Sequence, residues 1–364
     1  MGVKSSIHKS IGQGKIDFKL DWLHPLGRGL SSADCLANEA SSNPLSALVG
    51  SIFLRQNNIF RGDERLDILL EKAINDSCYR VNFRRPIFDG DRQQQSITFQ
   101  NTLTPATSVH GIATDSFGSV HGGVRLRRLA IEIDQKWASD SKLTRMVGMR
   151  IEQVGSIDDN GHPIRTDSYE CPTTFSGNTY DRMLVAKVGT EYLESNDSFF
   201  SQFNVLLEQG LPISPHWLRF KRFKVLRRKG VQLGPTFVFS SISFGTVQGD
   251  LASHGAFPIG GFNSVRGYGE GTVGTGKSYF VASNELYISV TRLLQGVIFA
   301  DFGTDLGSGR RVIGDPAGAR RKPGYGVGSG VGIRVDSSFG PLRIDYATNM
   351  LGGSCIHFGL GYHE

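Results

Sequence analysis

No run of about 18 consecutive apolar residues occurs in this 364-residue chain, so no segment can cross a bilayer as a helix. That excludes a helical membrane protein. It leaves a soluble protein or a transmembrane β-barrel, whose lipid-facing residues recur only at alternate positions and leave a weak average hydropathy signal. Cysteine is scarce. Cys35, Cys78, Cys171 and Cys355 have neither metal-ligand spacing nor the density of a disulfide scaffold. An H-E-x-x-H zinc motif and a nucleophile elbow are absent and the histidines are scattered, so we expect no metal site, no cofactor and no enzymatic activity. The amino terminus lacks both the apolar core of a secretory signal and an Arg-rich amphipathic presequence. The opening MGVKSS fits the loose myristoylation pattern through Gly2 and Ser6, a pattern short enough to recur by chance.

Charge gives little direction. The net charge of +6 is mild for this length and sets no partner by itself. One basic run stands out, in which Arg219, Lys221, Arg222, Lys224, Arg227, Arg228 and Lys229 interleave with Phe220 and Phe223. Such interleaving can bind nucleic acid. Without an accompanying RNA-binding signature, it is read here as a lumen-facing strand, and no nucleic-acid partner is expected.

What is present is alternation. In KIDFKLDW, Ile16, Phe18, Leu20 and Trp22 share one face, opposite Lys15, Asp17, Lys19 and Asp21. Near the other end Leu342, Ile344 and Tyr346 alternate with Arg343 and Asp345, and Ile356, Phe358, Leu360 and Tyr362 with His357, Gly359 and Gly361. Period two is the mark of a half-buried strand, so residues 16–23 and 356–362 are predicted as the first and last strands. Between them the pattern recurs at Leu184, Ala186 and Val188, at Phe203, Val205 and Leu207, and at Val331, Ile333 and Val335. Asx-type turns fall at Asp89–Gly90, Asn160–Gly161 and Asn196–Asp197, as antiparallel neighbours require. The strand candidates number about sixteen, within the range of single-chain outer-membrane barrels. Closure also removes the two edges that so wide a sheet would otherwise expose. Residues 30–44, 104–121 and 158–179 read as long loops. ERLDILLEKAI spaces Leu66, Leu69, Leu70, Ala73 and Ile74 as a helix would, but a helix there would upset the antiparallel count, so the segment is assigned as a strand.

The run GTVGTGKS, residues 271–278, satisfies the P-loop pattern G-x-x-x-x-G-K-[ST]. A working P-loop follows a buried strand and opens a helix. Here a glycine-rich loop precedes the motif and strand-like YFVASNELYISV follows it. Residues 271–277 are therefore read as flexible loop, and a P-loop nucleotide-binding protein remains a remote alternative that a Lys277→Ala loss of nucleotide binding would revive.

Just upstream, GAFPIGGFNSVRGY places one cation, Arg266, on a loop jointed by Gly260, Gly261 and Gly267. Glycine lets the backbone turn where side chains would collide. Val265 and Tyr268 flank the cation with groups suited to packing. Downstream, NELYISV supplies Glu285 and FADFG supplies Asp301.

This constellation resembles the BamA/Toc superfamily of outer-membrane insertases and translocases, also called the bacterial surface antigen family, and most closely its plastid outer-envelope branch. VRGY, Val265 to Tyr268, matches the family's loop motif; FADFG followed by TDLGSG is similar to the strand carrying its loop-pairing aspartate; residues 324–347 are similar to its last-but-one hairpin. The resemblance implies that Arg266 reaches into the lumen and pairs with Asp301 and Glu285. It also implies a plastid outer-envelope barrel of about 16 strands, with the inward-folded loop between strands 11 and 12. Family members begin with POTRA repeats, whereas only about fourteen residues precede the first predicted strand. The expected boundaries are accordingly a tail at 1–14 and a barrel at 15–364, without POTRA repeats.

The expected role is insertion or assembly of outer-membrane proteins, or protein translocation. Its partners would be the lipid bilayer, client β-barrel proteins and a full-length POTRA-containing relative. A passive channel for ions or small solutes is the alternative.

Overall fold

The computed structural model describes residues 5–11, 14–21, 50–57, 64–72, 77–87, 93–106, 113–114, 120–121, 124–139, 142–158, 160–167, 170–196, 198–291, 293–313, 322–337 and 340–360. Among the described residues, sixteen strands from Gly14 onward follow one another in antiparallel order: β1 (Gly14–Asp21), β2 (Gly50–Asn57), β3 (Arg65–Lys72), β4 (Ser77–Pro86), β5 (Gln93–Pro105), β6 (Arg125–Ala138), β7 (Leu143–Ile157), β8 (Tyr180–Asn196), β9 (Phe199–Leu211), β10 (Phe220–Leu233), β11 (Thr236–Gly249), β12 (Ser278–Ser289), β13 (Leu294–Thr304), β14 (Tyr325–Ser337), β15 (Gly340–Asn349) and β16 (Ser354–Leu360). Each pairs with the next in sequence, and Ser5–Ile11 and Pro163–Ile164 complete an 18-stranded sheet. The tail expected at 1–14 thus contains a strand, Ser5–Ile11, paired with β1.

The two faces of the sheet are inverted relative to a soluble protein. Ile131, Ile151 and Val331 are 48%, 55% and 55% exposed, whereas Asp301 and Asp345 are 1% and 0% exposed. The apolar positions line up across strands: Phe99 faces Ile131, Ile131 faces Ile151, and Val147 faces Val188. A continuous apolar outer surface around a charged interior is the signature of a barrel solvated by lipid. No described helix is long and apolar enough to cross a membrane.

Helical spacing in ERLDILLEKAI yields to tertiary context. Arg65–Lys72 is a strand laddered to both β2 and β4, with Asp67 buried and 3.4 Å from Arg84. Pairing on two sides outweighs an intrinsic preference of a few tenths of a kcal/mol per residue. The loop expected at 104–121 loses its first two residues to β5 and carries a two-residue ladder, Ala113–Thr114 with Val120–His121. The expected Asn160–Gly161 turn is present, with Gly161 at φ 84° and His162 N donating to Asp158 Oδ1 at 2.7 Å. Residues 30–44, Asp89–Gly90, Trp22, Leu23 and Tyr362 lie outside the described residues.

Alternation also corrects the reading of the basic run as lumen-facing throughout. Within β10, Arg222 and Lys224 point inward, where Arg222 Nη1 meets Glu208 Oε2 at 3.1 Å, and Arg228 follows them on the same face. Lys221, Arg227 and Lys229 share the outward face with Phe223 and Val225, and Phe223 packs edge-on against Phe244 of β11. Period two divides the cations between two environments.

Candidate functional site

The connection between β11 and β12, residues 250–277, folds into the barrel rather than away from it. A three-residue ladder, Phe257–Ile259 with Gly274–Gly276, closes its base. Ile259, Val265, Tyr268 and Val273 then form a small core of their own against Tyr279 and Val281. The segment 271–277, expected to be flexible, is therefore part of a packed element: Val273 and Thr275 are 0% exposed. It runs directly into β12 and so lacks the helix that a P-loop requires.

Gly260, Gly261 and Gly267 have φ values of 114°, 93° and 86°, a region that side-chain-bearing residues rarely enter. These joints carry Arg266 to the inner wall, where it is 2% exposed. Arg266 Nε donates to Asp301 Oδ2 at 2.7 Å and Nη2 to Asp301 Oδ1 at 2.8 Å, the two-pronged geometry that suits a guanidinium to a carboxylate. The Arg266 backbone N–H donates to Asp301 Oδ2 as well, at 3.1 Å. Nη1 lies 2.6 Å from Glu285 Oε1 and 3.3 Å from Asp345 Oδ2. Ser283 Oγ accepts from Nη2 at 3.2 Å and donates to Asp301 Oδ1 at 2.6 Å. The guanidinium carbon stands 3.5 Å from the centre of the Phe299 ring, adding a cation–π contact.

The structure thus brings Arg266, Asp301 and Glu285 together, and adds groups the sequence reading missed. Asp345 also receives Arg334, through Nη1 and through Nη2 at 3.1 Å, and Arg343 Nη2 at 3.3 Å. Arg343 stacks over Phe262 of the loop at 4.3 Å. Three guanidinium groups consequently face three carboxylates, and the buried cluster is balanced. The loop also holds the last two strands: Gly267 N–H donates to His357 Nε2 at 3.0 Å, and Asn349 Nδ2 donates to Gly267 O at 2.7 Å. Asp345 and Arg343 did carry a signal, since alternation in LRIDY puts both on the polar face.

Space for the loop comes from the glycines of β14. A Cβ on Gly328 would lie 1.8 Å from the Arg266 carbonyl oxygen, and one on Gly326 would lie 2.9 Å from the Tyr268 ring. The alternating glycines of YGVGSGVG strip the inner face of β14 so that loop backbone can lie on it.

A second attachment lies nearer the start of the loop. His254 Nε2 is 2.9 Å from Asp181 Oδ2, which also accepts from the backbone N–H of Phe175 at 2.8 Å. Around it, Val154, Val185, Phe220 and Val247 of the inner wall join Leu218, Leu251, Ala256 and Val312 of the long connections in one apolar cluster. That cluster lies at the end of the lumen where the long loops lie, beside a cavity of about 270 Å³.

A strand-built barrel with an inward loop can be compared with known proteins. The Omp85 superfamily domain matches residues 58–363. The chain belongs to the Omp85 superfamily. Within it, this chain is similar to outer envelope protein 39, chloroplastic, of Arabidopsis thaliana, with 41% identity over 99% of this chain and 98% of that protein. It is also 41% identical to outer envelope protein 80, chloroplastic, of Arabidopsis thaliana, over 96% of this chain and 47% of that protein, so it spans about half the length of that relative. In fold it is similar to the crystal structure of BamA from Haemophilus ducreyi lacking POTRA domains 1-3, with a TM-score of 0.67 and 13% identity over 98% of this chain and 74% of that one. This Omp85 protein is an integral, antiparallel β-barrel of the plastid outer envelope membrane.

Proposed function

We propose that this Omp85 barrel, in a non-catalytic role, assists the insertion or assembly of other β-barrel proteins in the plastid outer envelope, or the passage of polypeptides across it. One observation carries the reading: the loop bearing Arg266 is bonded both to the wall at Asp301 and to the last strand at His357. Any movement of β16 therefore pulls on an element that plugs the lumen. β16 contains Gly359, which has no side chain to grip a neighbour, and a strand that parts from its neighbour can template an incoming client strand. Asp301 and Glu285 serve as the loop's anchoring acids, with Val265 and Tyr268 packing the tip. Residues 15–364 act as a barrel domain, and a full-length POTRA-containing relative supplies client capture.

The test is depletion followed by a census of other outer-envelope barrels, with complementation by the wild type and by a variant carrying a cysteine pair across the seam between Ser5–Ile11, the first strand of the sheet, and β16. Depletion lowers those barrels, wild type restores them, and the cross-linked form restores them only under reducing conditions. An unchanged census removes the reading. The alternative is a passive pore that runs past the Arg266 loop. Its test is planar-bilayer conductance, which Arg266→Ala must alter if the loop constricts the path.

A further inference from the structure

We infer that the lumen contains a binding site for a small amphipathic organic anion, an aromatic phosphate, sulfonate or carboxylate, reached from the end of the barrel at which the short turns lie. A cavity of about 570 Å³ lies between the Arg266 loop and the walls formed by β9 to β12. A second, of about 510 Å³, is bounded by Asn196, Gln232, Ser289 and Gln295 beside the short turns, and shares Phe200, Phe239 and Tyr287 with the first. Together they form a path from the rim to the loop. Each is of the size that takes a small ligand. The opposite end of the lumen holds the apolar cluster around Val154 and Phe220, beside a smaller cavity of about 270 Å³ that shares Lys224 with the first.

Charge selects the ligand's sign. Among the described residues lining the inner cavity are four cations, Lys224, Arg228, Arg266 and Arg343, and one carboxylate, Glu285. Glu285 is already engaged by Arg266 at 2.6 Å, by Arg343 at 3.8 Å and by the Tyr287 hydroxyl. Lys224 lies 5.7 Å from the Phe257 ring centre, and Arg228 Nη1 donates to Gln202 at 3.4 Å. Arg266 and Arg343 belong to the balanced cluster, so the surplus charge that an entering anion meets is that of Lys224 and Arg228, in a setting of reduced dielectric where attraction is stronger than in water and a cation is repelled. Shape selects the rest. Phe200 and Phe239 stand with ring centres 6.1 Å apart at the junction of the two cavities, so an apolar or aromatic body gains contact that a bare inorganic ion does not.

The experiment uses the full chain in nanodiscs of neutral lipid and measures binding of phenyl phosphate, inorganic phosphate and benzylammonium by saturation-transfer NMR and calorimetry. Phenyl phosphate is expected to bind saturably, inorganic phosphate about tenfold more weakly, and benzylammonium not to compete. Lys224→Gln with Arg228→Gln should weaken phenyl phosphate about ten- to a hundredfold. Phe239→Leu should weaken phenyl phosphate while leaving inorganic phosphate unchanged. Heat-modifiable electrophoretic mobility reports that each variant is folded, and Lys224→Met alone decides if the double variant is not. Binding of benzylammonium as tight as that of phenyl phosphate, absence of saturable binding, or a folded cation variant with wild-type affinity overturns the inference.

Discussion

Two walls of this barrel bury charge, and they use it differently. On β6 to β10, Lys187 reaches Glu132 and, at 2.7 Å, Asp134, while Arg150 meets Glu152 at 2.7 Å and Glu208 at 3.1 Å. Arg222 and Arg128 extend the set to Glu208 and Glu152. Apart from Arg150 with Glu152, both on β7, these ties run from strand to strand in nearly the order of the ladders, since Arg150 faces Glu132 and Glu208 faces Arg222 directly. On β12 to β16 the central cation comes instead from a loop, and its partners Asp301 and Asp345 lie 35 and 79 residues away in sequence. The first cluster rivets a wall. The second fastens a separable element to a wall, so that its loss need not unmake the barrel.

The sharpest break in this comparison is Arg266→Ala. It leaves Asp301 buried with only Ser283 and a backbone N–H, and a buried carboxylate stripped of its cation costs on the order of 3 to 5 kcal/mol. The expected outcome is a loop cut readily by protease within residues 255–268 while the barrel stays heat-modifiable. A loop that remains protected would show that the ion pair does not hold it. Arg266→Lys should fall between, because an ammonium cannot form the fork.

A gentler break leaves every charge in place. Gly328→Ala puts a methyl group 1.8 Å from the Arg266 carbonyl oxygen, and backbone cannot yield as a side-chain tip does. Overpacking of this kind costs about 1 to 3 kcal/mol. Increased protease sensitivity of the loop, smaller than in Arg266→Ala, is the expected result, and unchanged sensitivity would mean that the loop has another resting place.

These sites differ in how far the sequence reveals them. Strand identity was legible because lipid on one side and ion pairs on the other impose the same period on β5 through β16, and it survived the misleading helical spacing of Arg65–Lys72. Arg266, with Asp301 and Glu285, could be named through the family resemblance. Asp345 could not, because its meeting with Arg266 depends on how the sheet curls, which no local pattern encodes. The inward glycines of β14 were visible as an alternating series, but what fills the space they leave becomes evident only once the loop is seen lying there. The basic run was half read: composition shows seven cations between Arg219 and Lys229, and only pleating tells which of them face the lumen.

The wall cluster supplies the converse prediction. Lys187→Met leaves Glu132 and Asp134 without their shared ammonium, an arrangement that Gly148 permits, since a Cβ there would sit 1.9 Å from Asp134 Oδ1 and 2.7 Å from Lys187 Cε. Loss of a hydrogen-bonded charge pair costs about 1 to 3 kcal/mol, less than the Arg266 change because Glu132 keeps 25% of its side-chain surface in contact with solvent and Arg150 lies 3.7 Å away. A lower temperature of heat modification with unaltered loop proteolysis would keep the two walls distinct. Loop release on this substitution would instead couple them.

The smallest effect is expected where charge is paired but not buried. Lys142, in the turn from β6 to β7, donates to Glu194 Oε1 at 2.6 Å, and Tyr192 donates to the other oxygen at 2.6 Å. Both charged side chains keep much of their surface, 48% and 31%, so water and salt replace the lost partner readily. Lys142→Ala should leave the temperature of heat modification and the loop proteolysis pattern as in wild type. The geometry of this pair is as close as that of Arg266 with Glu285, so a large effect here would mean that distance rather than desolvation ranks these interactions, and the contrast between the lumen walls would lose its physical basis.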